Sequence, residues 1–204
     1  SWDELNCTAL LNNANYTKNK TVFEDGDYLF QLTDECGNFS ICYITIDTVA
    51  PTGTLSGVEN KGRTNQDVSF VWEEDNVTAT LNGETYVSNT IISDEGSYTL
   101  ILKDRAFNTT SYTFTIDKTA PVGELTGVVN GGITNNNVTF NWTKINTTAT
   151  LDGFAYSRRA IIVLEGLHTI VLTDDVGNSS TYTFTIDKTA PVGELIGVEN
   201  GGVT

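Results

Sequence analysis

The chain has 204 residues, 39% of them hydrophobic and 18% charged, with 8 Tyr, 9 Phe and 3 Trp, the content of a folded protein rather than a disordered one. Its 26 acidic against 11 basic side chains give a net charge of -15 without any basic cluster, which argues against nucleic acid or an anionic membrane as partner. No apolar run approaches the roughly 18 residues of a membrane span, and Ser1 opens without a signal-peptide pattern, as in a mature or excised segment.

Self-similarity organises the rest. Thr45-Ile46-Asp47 with Ala50-Pro51 returns as Thr115-Ile116-Asp117 with Ala120-Pro121, and as Thr185-Ile186-Asp187 with Ala190-Pro191, a period of 70 residues. Residues 118–134 and 188–204 agree at 14 of 17 positions. The expected organisation is an incomplete unit lacking its first strands (1–47), complete units at 48–117 and 118–187, and the first strand of a further unit (188–204). All three prolines fall at the joints, where a lost N–H donor is harmless, and the linkers, about Lys118 to Ala120 in the clearest case, are too short for free hinges.

Along each unit the apolar period is two. In the second unit Val68, Phe70 and Trp72 alternate with polar positions, as do Val77, Ala79 and Leu81, then Tyr98, Leu100 and Leu102, then Tyr112, Phe114 and Ile116. Each run predicts a strand with one buried face. Asn82-Gly83, and Asp152-Gly153 in the third unit, separate such runs and predict type I′ hairpin turns. No useful helical periodicity is present, so the fold class is all-β, about six or seven strands per unit in an antiparallel sandwich. Asp94 to Tyr98 reads as a tyrosine corner, with Tyr28 in the first unit and His168 in the third at the same place.

Asp174-Asp175-Val176-Gly177-Asn178, followed by Tyr182 to Asp187 and Ala190-Pro191, resembles the bacterial immunoglobulin-like repeat families of surface proteins and the related hyalin-repeat pattern. The second unit departs from it, with Phe107 where the others have Gly37 and Gly177. The resemblance implies immunoglobulin-like β-sandwich units in tandem, serving as stalk or adhesive modules at a cell surface.

Catalysis is not expected. The single histidine, His168, is absent from the sister units and reads as a corner residue, and no second histidine or phosphate-cradling glycine loop is present. Cys7, Cys36 and Cys42 all lie in the first unit, where the second has Val77, Ala106 and Tyr112. Strand order puts Cys7 and Cys36 at one end of one sheet, making a Cys7–Cys36 disulfide the favoured pairing, with Cys42 buried or paired elsewhere. The hyalin likeness suggests Cys7–Cys42 instead, which would span an intervening strand at about 9–10 Å. A disulfide fits an oxidising, extracellular location.

No cofactor is expected. Calcium is the one candidate, at joints that gather Asp47, Asp117 and Asp187 with Asp104 and Asp174, but no dense Asp-x-Asp run is present and hydrogen bonding of these carboxylates to turn N–H groups is the favoured reading. Asn-x-Ser/Thr triplets make Asn38, Asn76, Asn108, Asn137, Asn146 and Asn178 candidate glycosylation sites, with Asn108 and Asn178 expected in exposed turns.

These features predict a structural, non-catalytic segment acting as spacer or fibre-building module, its partners being neighbouring units of the same or like chains. A glycan- or protein-binding adhesive module is the first alternative. A filament built by strand donation is another, but joining end to start gives 204 residues against three periods of 210, and the missing six correspond to Asn65–Phe70.

Overall fold

In a computed structural model, which describes residues 6–193, the chain is all-β, with no helix among the described residues. It separates into two compact units, one holding residues 6–62 and 67–115, the other 63–66 and 116–193. The first two sequence blocks thus share one unit. The strand expected from residues 188–204 lies mostly outside the described residues, and 188–193 form none.

In chain order the first unit holds β1 (Thr8–Leu11), β2 (Ala14–Asn15), β3 (Gly26–Thr33), β4 (Phe39–Ile46) and β5 (Thr54–Ser56). After β6 (Arg63–Thr64), which groups with the second unit, come β7 (Ser69–Val71), β8 (Thr78–Leu81), β9 (Glu84–Tyr86), β10 (Gly96–Lys103) and β11 (Thr109–Ile116). The second unit continues with β12 (Gly123–Thr126), β13 (Ile133–Thr134), β14 (Val138–Trp142) and β15 (Thr147–Leu151). It ends with β16 (Phe154–Ala155), β17 (Ile161–Ile162), β18 (Gly166–Asp174) and β19 (Ser179–Ile186).

Two sheets face each other in the second unit, ordered β12-β14-β17 and β13-β19-β18-β15-β16. All pairings are antiparallel except β13 with β19, which is parallel. Alternate residues of both sheets meet in one core: Phe140 and Ile162 from one layer, Ile170, Leu172, Phe184 and Ile186 from the other. A short sheet of opening strands over a longer sheet built on the last two strands is the order of an immunoglobulin-like sandwich.

The first unit repeats the scheme with β5-β7 and an antiparallel bridge from Val68 to Ile92 on one side, and β11-β10-β8-β9 side by side on the other. Its buried Val68, Phe70, Leu100, Leu102 and Phe114 lie on the predicted inward phase. Its remaining sheet, β2-β1-β3-β4, carries Phe39 and Tyr43 outward, with Tyr28, Phe30 and Leu32 half-buried.

The predicted hairpin turns form. Asn82 and Gly83 have φ of 50° and 90°, Asp152 and Gly153 51° and 85°, and each pair joins strands by a two-residue loop. Asn12 and Asn13 make the same turn between β1 and β2, with φ of 46° and 65°. Lacking a glycine, that turn gave no sequence signal. Asparagine is among the few residues that tolerate the left-handed region, and Asn12 Oδ1 also accepts from Leu29 N–H across the sheet at 2.7 Å.

Gly123 marks a close approach. A Cβ there would lie 2.1 Å from Cζ of the fully buried Phe140, and Gly53 meets Phe70 in the same way at 2.3 Å. Gly123→Ala must displace a core ring, so we expect a loss of about 1–3 kcal/mol in chemical denaturation. An unchanged midpoint would show that β12 does not pack as described.

Candidate functional site at the linkers

The two linkers are built by one recurring turn. At the end of β10, Asp104 accepts hydrogen bonds from Asn108, Oδ1 from its N–H at 2.9 Å and Oδ2 from its side-chain amide at 2.8 Å. The other amide hydrogen of Asn108 goes to the Asp47 carbonyl at 3.0 Å, which pins the linker. Asp174 and Asn178 repeat this in the second unit at 2.8 and 3.0 Å, with Asn178 reaching the Asp117 carbonyl at 2.8 Å. Asp34 and Asn38 close the same turn after β3, and the Asn38 amide beside it holds the Asp34 carboxyl below its usual range.

The residue before the asparagine needs a left-handed backbone: Gly37 has φ 85° and Gly177 93°. Phe107 takes the same conformation at φ 72°, so the departure noted in the sequence leaves the turn intact and shifts strain onto a bulky residue. Its ring is exposed, with Lys103 Nζ 4.3 Å from the centroid.

The linker is also held from its other side. Asp25 Oδ1 accepts from both N–H and Oγ of Thr48 at 2.9 Å, and Asp47 Oδ1 from Val49 N–H at 3.0 Å. Asp117 Oδ1 likewise accepts from Thr119 N–H, and Asp187 Oδ1 from Thr189 N–H. Glu165 plays the part of Asp25 toward Lys188 N–H and Thr189 Oγ.

Of the carboxylates named as calcium candidates, Asp47 comes together with Asp104, and Asp117 with Asp174, while Asp187 stands apart from these pairs. Between Asp117 and Asp174 lies a group the sequence reading overlooked. Lys144 Nζ is 2.8 Å from Asp174 Oδ2, 3.1 Å from Asp117 Oδ2 and 2.8 Å from the Thr119 carbonyl. Burial alone would raise the Asp174 pKa, but Lys144 and Asn178 outweigh it and hold the carboxyl at about 2. The hydrogen bond to Asp174 in turn raises Lys144. Arg63, counted in this unit, adds contacts to Asp117 at 2.8 Å and Asp175 at 2.6 Å.

The corner residues sit where the sequence puts them. Tyr28 OH donates to the Glu24 carbonyl at 2.9 Å and Tyr98 OH to Asp94 at 2.8 Å. His168 is buried in the same position, its Nε2 2.9 Å from the Leu164 carbonyl and its Nδ1 2.8 Å from Asp152 Oδ2. Neither partner offers a hydrogen, so satisfying both requires the imidazolium.

Cys7 precedes β1 and is half-buried, Cys36 lies exposed in the turn after β3, and Cys42 is exposed on β4. The sheet order puts β3 between β1 and β4. Asn38, Asn76, Asn137 and Asn146 are exposed. Asn108 and Asn178, expected in open turns, are half-buried with their amides committed to the linker, so a sugar there would break the turn.

No family model matches the chain, and no curated protein does. Solved structures similar to it include a Bacteroides ovatus mixed-linkage glucan utilization protein, SGBP-B, in complex with a heptasaccharide: 14% identity, 89% of this chain, 60% of that one, TM-score 0.26. Murine CEACAM1b (13%, 67% and 99%, 0.32) and the N-terminal four Ig domains of Dscam1 (12%, 79% and 54%, 0.33) are others. The chain thus spans less than two thirds of SGBP-B and of the Dscam1 fragment. At such TM-scores the class of the protein, an all-β chain of immunoglobulin-like sandwiches, rests on its own strand order.

Burial alone would lower the His168 pKa, but the Leu164 carbonyl and the Asp152 carboxylate outweigh it, and the pKa stands above its usual value. Asp152, which burial would raise, is held below its usual range by Thr169 N–H and His168. A raised folded pKa stabilises at pH below the unfolded value of about 6.5 and is lost as pH rises through the folded one. The second unit should therefore melt at lower temperature at about pH 9 than at about pH 6. In His168→Tyr that difference should shrink. Equal pH dependence in the two proteins would remove the imidazolium.

Proposed function

We propose that the chain is a structural, non-catalytic segment of an extracellular surface protein, in which tandem immunoglobulin-like units of 70 residues act as stalk, spacer or fibre-building module. The observation that carries this reading is the binding of each linker by side chains. Thr48 is tied to Asp25, the Asp47 carbonyl to Asn108, and the Asp117 carbonyl to Asn178. A spacer transmits position or force only if its joints resist bending, and short tethered linkers supply that resistance. The single histidine serves a corner contact, which supports a non-catalytic role.

Backbone relaxation tests the joints. The amides of Thr48, Val49 and Thr119 should show order parameters near the ~0.85 of rigid backbone, and Asn108→Ala or Asn178→Ala should loosen the corresponding linker. Wild-type values below ~0.6 would overturn the spacer reading. Retention on a glycan array through one loop cluster would transfer the assignment to an adhesive module.

An extracellular location also favours the Cys7–Cys36 bridge. Non-reducing peptide mapping of protein made in an oxidising compartment should join those two peptides. A Cys7–Cys42 link, or three free thiols, would refute the pairing.

A further inference from the structure

Asp47, Glu74 and Asp104 each offer a carboxylate oxygen within 4.8 Å of the others. Three like charges so close repel one another, the more strongly where burial lowers the effective dielectric. Asp104 has almost no access to water. Among the described residues, no lysine or arginine forms an ion pair with any of the three.

An acidic cluster alone would signify little, since exposed carboxylates gather without ligands. The second unit supplies an independent observation. Seventy positions on, the same surroundings recur: Asp117 for Asp47, Asp174 for Asp104, Thr119 for Val49. The turn bonds to Asn108 and Asn178 agree, as do the bonds from Val49 and Thr119 N–H to Asp47 and Asp117. One ligating position differs. Where the first unit has Glu74, the second has Lys144, and its ammonium occupies the space between the carboxylates with three oxygen contacts. The cradle therefore holds a cation in the one copy where the chain provides one.

We propose that Asp47, Glu74 and Asp104 bind a divalent cation of the calcium class, and that Lys144 is its covalent replacement in the second unit. Replacing an ammonium by a carboxylate changes the local charge by two, the charge a divalent ion restores. All the donors are hard oxygens, which suits calcium and disfavours zinc or copper. Lys144 also contacts the Thr119 carbonyl, so its sequence counterpart, the Val49 carbonyl, would be the neutral donor to test, with water filling the remaining positions. Because Asp47 begins the linker and Asp104 anchors its clamp, the ion would tie the first linker as Lys144 ties the second. The proposal does not depend on the spacer reading; a metal site would stand equally in an adhesive module.

The test is calorimetric titration of the whole chain with calcium chloride after chelator treatment, with thermal melts alongside. The wild type should bind one ion per chain in the range of about 0.1–1 mM and melt higher with calcium than with chelator. Glu74→Lys should abolish binding and make the melt insensitive to calcium. Lys144→Glu should raise the stoichiometry to two. Circular dichroism checks that each variant is folded, and Glu74→Lys decides the matter if Lys144→Glu is not. No binding by the wild type at several millimolar calcium, or binding that persists in Glu74→Lys, would overturn the proposal.

Discussion

Asp104 and Asp174 place a carboxylate where water hardly reaches, and a buried charge left unpaired would cost several kcal/mol. The asparagine four residues later meets that requirement with its backbone N–H and one amide hydrogen, closing a tight turn between the last two strands. Its remaining amide hydrogen goes to the linker carbonyl. The linker's position is thus a consequence of satisfying a buried acid. A serine or threonine could cap the carboxylate but would lack the third contact.

Aromatic hydroxyls do similar service where strands bend. Tyr86 OH accepts from Phe70 N–H at 3.1 Å and donates to the Thr90 carbonyl at 2.6 Å, and Tyr156 links Phe140 to Ala160 in the same way. Tyr112 and Tyr182 accept from Gly53 and Gly123 N–H, next to the points where β5 and β12 approach the core rings most closely. Each ring packs apolar surface inside while its hydroxyl satisfies backbone groups that no neighbouring strand can reach. In a sandwich this small, that reduces the unpaired polar surface the modest core must offset.

Much of this was legible in the sequence because it depends on local patterns. The alternation of Val68, Phe70, Leu100, Leu102, Phe114 and Ile116 predicted which faces are buried, and Asn82-Gly83 and Asp152-Gly153 predicted the hairpins. What escaped depends on partners distant in the chain. Lys144 reads as a surface lysine until β18 and the linker bring Asp174 and Asp117 to it. Asn108 and Asn178 read as exposed turn residues because nothing local shows that their amides face the linker, 61 residues earlier in the chain. The Asn12-Asn13 turn and the left-handed Phe107 lacked the glycine on which such predictions lean.

The two units differ most informatively in coupled pairs. Where Tyr98 holds the corner, Asn82 caps the facing hairpin, its Oδ1 accepting from Thr99 N–H at 2.8 Å. Where His168 holds it, the hairpin residue is Asp152, which keeps the bond to Thr169 N–H and turns its second oxygen to the imidazole. An asparagine could make the first bond but could not compensate an imidazolium's charge. The change at one position therefore sets the chemistry required at the other, 16 residues away in the facing hairpin turn. Glu74 and Lys144 pose the same question at the linker, where the surrounding acids are unchanged. There the facing residues did not adjust, and that imbalance is what the proposed divalent cation would offset.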